Sequence, residues 1–388
     1  MSKTHSLSIK AVAALTAASL LPGLALGAAP AKAAEKTYAY TEAGSSYVPL
    51  RALKQLPGLS IEWNAGAKSA TITEEGVKAT LTVGQKRAKI GDKSAVLARA
   101  PFTENGTAFI PLKFVSEQYG VEISRQASSG AILLKKDGEE LRLPVLPRGA
   151  VSLARKLITV ENKTIRAAGR SFSVQLATVS LMDPRVDLEI AVAKDKVGST
   201  EELASIAKRG GAKLAINGTF FDAYTDSSTK NPYGYLFNGG KQLYKSSGDK
   251  KTVVTFDSNM LTELLPGAGF ENRLGEGTVA VDGGLQAGPR LLVDGIAKLD
   301  PKGEGFRDPK ILTGGGARSA LGVTRDHKLL LLTVGGATIP QLASIMKAAG
   351  AWQAMNLDGG ASSGLYYNGS YLTRPGRLLS NALLVRVN

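Results

Sequence analysis

The sequence predicts an α+β chain: a small repeated α/β module, then a mixed, largely antiparallel sheet domain with packed helices. Three observations lead there. Short strands alternate with Gly-rich turns along most of the chain, and helical spacing is confined to brief stretches. A first repeat at an offset of 62 positions sets Tyr47-Val48-Pro49-Leu50-Arg51 against Phe109-Ile110-Pro111-Leu112-Lys113. A second, at an offset of 139, sets Leu203-Ala204-Ser205-Ile206-Ala207-Lys208 against Leu342-Ala343-Ser344-Ile345-Met346-Lys347.

The first thirty-four residues stand apart. Lys3 and Lys10 precede an apolar stretch, Ala11 to Leu26, broken by Pro22 and Gly23, and small residues follow. This reads as a secretory signal cleaved between about Gly27 and Ala34. The expectation is a secreted, cell-surface protein with no integral membrane anchor after cleavage. No later run is apolar enough to span a bilayer.

Residues 35–146 hold the first repeat. Each copy reads as strand, short helix after the proline, strand, turn, strand, with Leu50-Leu53-Leu56 and Leu112-Val115-Tyr119 as the helical faces. Gly76 and Asp137-Gly138 supply hairpin turns. Pro147-Arg148-Gly149 reads as a linker. The second domain is placed at 151–388. In it Phe172–Leu181 and Val186–Ala193 read as a strand pair joined at Asp183-Pro184, and Gly277–Val281 as a strand. Both copies of the second repeat run from a helix into a short strand, ending at Asn217 and Asn356. That duplication places two asparagine turns in equivalent positions, facing one site.

Composition excludes several chemistries. Hydrophobic residues make up 43% of the chain, an ordinary proportion for a buried core. There is no cysteine, hence no disulfide, thiolate metal site or cysteine nucleophile. His5 lies in the signal segment, and His327 sits in a hairpin turn where solvent exposure is expected. A Ser-His-Asp triad would rest on His327 alone, and histidine-rich zinc sites are excluded. The net charge is +15; Lys3, Lys10 and Lys32 account for three of these charges, so +12 remains after residue 34. A basic exported protein concentrates at anionic cell-surface polymers. Nucleic acid is not expected, because the cations are scattered and no basic-aromatic motif occurs.

Carboxylates, arginines and amides remain. Such groups suit glycoside and phosphate-ester cleavage, with an acid for proton transfer and an arginine fork for phosphate. Three clusters carry them: Asn217-Gly218-Thr219-Phe220-Phe221-Asp222, then Arg318 behind Gly314-Gly315-Gly316, then Asn356-Leu357-Asp358-Gly359-Gly360-Ala361-Ser362-Ser363.

These clusters, with Gly288-Pro289-Arg290-Leu291-Leu292-Val293-Asp294-Gly295 between the first and second, resemble the phosphodiester glycosidase family over about residues 170–388. The stretch Glu104 to Ile123 resembles the copper amine oxidase N-terminal-like stalk domain, a non-catalytic module of exported bacterial proteins. Residues 36–146 contain no histidine, so copper binding is not expected. The first resemblance implies hydrolysis of the glycosidic bond of sugar-phosphate diesters of the N-acetylglucosamine-1-phosphodiester type, in cell-surface polymers or exopolysaccharide. Asp358 would be the acid-base or stabilising carboxylate, Arg318 the phosphate ligand, and Asn217 a third catalytic group. Asn356, Gly218, Gly359, Gly360, Ser362 and Asp222 would bind substrate. Glu276 and Asp282 compete with Asp222 as partner carboxylate. No metal ligand is assigned, although hard cations (calcium or magnesium) suit Asp and Asn oxygens. Thr219 and Ala361 stand where the family pattern has glycine, and Ala317 where it often has proline, which predicts extra side chains narrowing the site. The alternatives are a non-catalytic wall- or polysaccharide-binding protein and a metal-dependent phosphodiesterase.

Overall fold

The computed structural model describes residues 36–151, 156–245 and 250–388; the expected signal segment lies outside them. The 62-residue repeat is carried through strand by strand. Ser45–Pro49, Ser60–Asn64 and Ser69–Glu74 return, each shifted by 62, as Thr107–Pro111, Glu122–Gln126 and Ala131–Lys136. The intervening helix is a 3-10 turn at Leu50–Gln55 in one copy and an α-helix at Leu112–Tyr119 in the other. Ala39–Glu42 pairs parallel with Glu139–Pro147, so the first strand closes the second copy's sheet. Leu53, Ile72, Leu81, Ile110, Val115, Ile132 and Leu134 fill the core of this module.

The second part is dominated by sheet, which narrows the α+β expectation; its longest helix among the described residues is Ile339–Ala348. One sheet orders Ile158–Ala167, Arg170–Ser180, Lys328–Ala337, Gly316–Val323, Gln353–Asn356, Arg290–Val293 and Ile296–Ala297, all antiparallel. A second orders Val186–Val192, Asn381–Val387, Leu214–Asn217, Leu365–Tyr367 and Ser370–Thr373. A third centres on Gly283–Gln286, flanked by Leu236–Asn238 and Val253–Phe256.

Two expected elements differ. Arg170–Ser180 and Val186–Val192 do not pair with each other, because the Asp183–Val186 turn carries the chain from the first sheet to the second. Apolar side chains of both strands, such as Val179 and Leu188, meet in the core instead. Residues 277–281 form no strand; the helix Phe270–Gly275 precedes them and the strand begins at Gly283.

The junction at 147–149 is not a free linker. Arg148 reaches Glu42 and Glu104 and lies 3.7 Å over the Phe102 ring. Tyr40, Tyr47, Phe109 and Leu146 join the same apolar cluster as Val179, Leu188 and Leu331, so the core runs continuously across the junction. Lys36 is buried and donates to the carbonyls of Leu181, Asp183 and Val186; burial lowers its ammonium to about 8. His327 is also buried rather than exposed, at 2% accessibility. The first module covers it, and its Nε2 lies 3.0 Å from the Gly130 carbonyl.

Candidate active site

The 139-residue repeat positions the site. The helix Leu203–Arg209 and strand Leu214–Asn217 recur as Ile339–Ala348 and Gln353–Asn356. Both strands are fully buried and lie in different sheets, yet their C-terminal turns interlock. The Asp358 amide donates to Gly218 O at 3.1 Å. The Asn217 Nδ2 donates to Asp358 O at 2.7 Å.

Asn217 is therefore committed to the scaffold. Its Oδ1 also accepts from Ser319 Oγ at 2.6 Å and Gly364 N at 3.0 Å, and the residue is 1% exposed. The amide holds the Asp358 turn, and its oxygen already takes two hydrogen bonds. Asn356 is fully buried; its Nδ2 donates to Gly288 O and Leu357 O, while its Oδ1 has no partner among the described residues. Gly218 is a packing glycine: an added Cβ would fall 2.0 Å from Asn381 Oδ1.

Asp358 itself sits half-buried above this network. Burial pushes its carboxyl up to about 6, although Ser362, the Gly359 amide and the charge of Arg377 favour the ionised form. The Gly359 amide donates to Oδ1 at 2.9 Å. Gly359 passes so close to the preceding strand that a Cβ would lie 3.0 Å from Ala317 O and 3.7 Å from Arg318 Nη1. Gly360 takes a φ of +59°, which glycine adopts without strain.

Arg318 is 3% exposed, so its guanidinium lies beneath the Gly359 turn. Nε donates to Ala337 O at 3.0 Å, and Nη2 to Lys310 O and Gly314 O at 2.5 and 3.2 Å. Among the described residues it has no ion-paired carboxylate. Carbonyl dipoles and the more distant charge of Asp308 compensate it, and Nη1 on the Gly359 side has no such carbonyl partner.

Sequence reasoning missed a second arginine. Arg377 lies in the turn before the last strand, Asn381–Val387, and interacts electrostatically with Asp358. Its Nη2 donates to Tyr224 Oη at 2.6 Å, and its guanidinium lies 4.6 Å from that ring's centroid. Arg377 lines a cleft of about 370 Å³ with Phe221, Ala223, Lys230, Ala361 and Gly376. The Arg374-Pro375-Gly376-Arg377 turn was the available signal, but nothing local ties it to a residue nineteen positions earlier.

The remaining expected groups divide. Ser362 is buried and hydrogen-bonds the Asp358 carboxylate. Asp222 lies on the cleft-side loop, where its side chain meets Tyr233. Glu276 caps the helix Phe270–Gly275, and Asp282 starts the strand Gly283–Gln286; neither shares a hydrogen bond with the Asn217–Asp358 network. Thr219 does not narrow the cleft. It is 2% exposed, and its hydroxyl donates inward to Gln286 O. The Ala361 methyl does face the cleft.

Among the described residues, no three His, Asp or Glu side chains converge to hold a metal. One carboxylate, a serine hydroxyl and two guanidinium groups suit an anion better than a hard cation. What these residues can do together is bind a phosphate beside a carboxyl that ionises near neutrality.

The class defined here is a sheet-rich domain with a carboxyl and two arginines near the ends of two duplicated strands, one of the arginines, Arg377, lining a cleft. Residues 210–386 match the family model described as phosphodiester glycosidase, and residues 31–146 that described as copper amine oxidase N-terminal domain. The two parts of the chain thus each match a family model of their own. A hypothetical protein from Synechocystis has a similar fold, with a TM-score of 0.52 at 15% identity, over 92% of this chain and 100% of that one. The pro-peptide-inhibited catalytic domain of zebrafish N-acetylglucosamine-1-phosphodiester alpha-N-acetylglucosaminidase aligns with a TM-score of 0.49 at 21% identity, over 61% of this chain and 86% of that one. A putative exported protein of Burkholderia pseudomallei aligns at 0.43 and 14% identity, over 55% and 74% of the respective chains. No curated protein matches the sequence.

Proposed function

We propose that the second domain hydrolyses the bond between a sugar's anomeric carbon and a phosphodiester oxygen. The observation that carries this reading is Asp358, a carboxyl raised to about 6 under the charge of Arg377, in a turn whose Gly359 passes close to the Arg318 guanidinium. In the proposed step Arg377 and Arg318 hold the phosphate. Water adds its oxygen to the anomeric carbon, and Asp358 takes the water's proton. The carbon–oxygen bond breaks with its electron pair going to the phosphate oxygen, which leaves as a phosphate monoester. Phosphate is a weakly basic leaving group, so a general base contributes more than a strong acid. Near pH 7 most Asp358 is ionised, the state a base requires.

The N-acetylglucosamine preference, the export of the protein and a cell-surface polymer as natural substrate belong to the same proposal. They are supported by the family match, the signal-like opening and the basic charge. The test uses the purified protein with UDP-N-acetylglucosamine and measures free sugar. Release that Asp358→Asn abolishes supports the reading. Release that persists in the variant overturns the role of Asp358, and no release from this or other sugar-1-phosphodiesters overturns the activity.

A further inference from the structure

A second cleft, of about 450 Å³, opens where the two modules meet. Its walls are the 125–132 segment of the first module and the 323–325 segment of the second, with Trp352 between them. It lies at the opposite end of the strand Gln353–Asn356 from Asp358. At ~3.3 Å per residue, Trp352 and Asp358 are up to about 20 Å apart.

The lining includes Arg125 and Arg325 and no carboxylate. Nearby acids are already engaged. Asp326 pairs with Lys328 at 2.7 Å, and Glu263 with Arg142 at 2.7 Å. Asp294 accepts from Gln353 Nε2 at 2.8 Å. Among the described residues, neither Arg125 nor Arg325 has an ion-pair partner. Both are exposed, one on each module. The Arg325 guanidinium lies 3.6 Å from the Trp352 ring centroid. A guanidinium held flat on an indole keeps its N–H groups directed outward from its edge, the geometry that grips phosphate oxygens. The lining adds the Ser128 hydroxyl, the Thr41 hydroxyl, which donates to Leu146 O and can still accept, and the Gln126 amide, whose oxygen takes Arg142 Nε and whose NH2 can donate; such groups pair with sugar hydroxyls.

We propose that this inter-module cleft binds a phosphodiester-bearing glycan chain, clamped between Arg125 and Arg325. It would hold a polymer whose other linkages are presented to Asp358, raising their local concentration without new contacts at that site. The choice of polymer rests on the proposed hydrolysis; the clamp does not.

The test measures binding of poly(N-acetylglucosamine 1-phosphate) by calorimetry to the full protein carrying Asp358→Asn. Adding Arg125→Ala and Arg325→Ala together should weaken binding tenfold or more. In protein with Asp358 intact, the same two substitutions should leave UDP-N-acetylglucosamine turnover unchanged. The polymer should also shield Arg125 and Arg325 from phenylglyoxal in the protein that retains both, a readout independent of how the double variant folds. Unchanged affinity, no shielding, or equally tight binding of polyphosphate or a neutral chitin oligosaccharide would overturn the proposal. If the hydrolase reading alone is wrong, sugar release fails while binding and shielding persist.

Discussion

Replacing Asp358 with Asn should separate stability from activity in opposite directions. Folded, the carboxyl keeps its proton up to about pH 6; unfolded, it releases it near its ordinary 3.8. Between those values the folded state binds more protons, so raising the pH across that window removes stability. The full shift corresponds to about 3 kcal/mol. Partial exposure screens the charge and brings the expected cost at pH 7 to about 1–2 kcal/mol. Asparagine keeps an acceptor for Ser362 and the Gly359 amide but carries no charge. The variant should therefore melt about 2–4 °C higher than the parent at pH 7 and equal to it near pH 4, read by calorimetry at both pH values. Its turnover of a sugar-1-phosphodiester should fall by ~10²–10⁴ if the carboxylate moves the proton. The parent's kcat/KM should rise with pH through about 6 and then level. A variant less stable at pH 7, or a parent profile flat from pH 5 to 7.5, would refute the reasoning.

Three further outcomes follow from the same geometry. Arg377→Ala should raise KM for a phosphodiester by about ten- to a hundredfold, the worth of a hydrogen bond to a charged group, and leave the melting midpoint nearly unchanged; an unaltered KM removes Arg377 from the phosphate site. Asn217→Ala strands the Gly364 amide, the Ser319 hydroxyl and the Asp358 carbonyl, so urea denaturation should show a loss of about 2–5 kcal/mol, whereas a pure kcat defect at full stability would show a catalytic role. Burial lowers the His327 pKa below its ordinary value, so its contribution is present at neutral pH and lost as acid charges the ring; His327→Gln should narrow the fall in midpoint between pH 7 and pH 5, and an unchanged fall would mean that the ring does not titrate with unfolding.

Both duplications were legible because each copy repeats an apolar pattern at a fixed offset, and the strands follow it residue for residue. The Asp358 turn and Arg318 were legible because a polar group at the end of a buried strand, beside small residues, has few structural reasons to be there. What a side chain does after leaving its strand was not legible. Asn217 and Thr219 sit within the same motif as Asp222, but the first two turn inward to Gly364 and Gln286 while Asp222 lies on the cleft-side loop. A hairpin turn ordinarily faces solvent, and the docking of the first module, through Gly130, buries His327. Arg377 depends on the tertiary return of the last strand beside Leu214–Asn217, a pairing that no local pattern encodes.

The same interlocked turns explain what the two strand-end asparagines, Asn217 and Asn356, hold in place. Two strands from different sheets end side by side, and each leaves backbone groups facing a buried junction. Unpaired, each such group costs about 1–3 kcal/mol. Asn217 satisfies this junction from one copy, bonding Asp358 O, Ser319 Oγ and Gly364 N, while Asn356 bonds Gly288 O and Leu357 O in the other. With the junction held by amides, burial dominates the carboxyl above it, and the nearby charge of Arg377 lowers its pKa by less than burial raises it. An ion-paired carboxylate there would ionise well below neutrality and make a weaker base. The duplicated asparagines thus brace the Asp358 turn from beneath, and burial leaves its carboxyl ionising near neutrality.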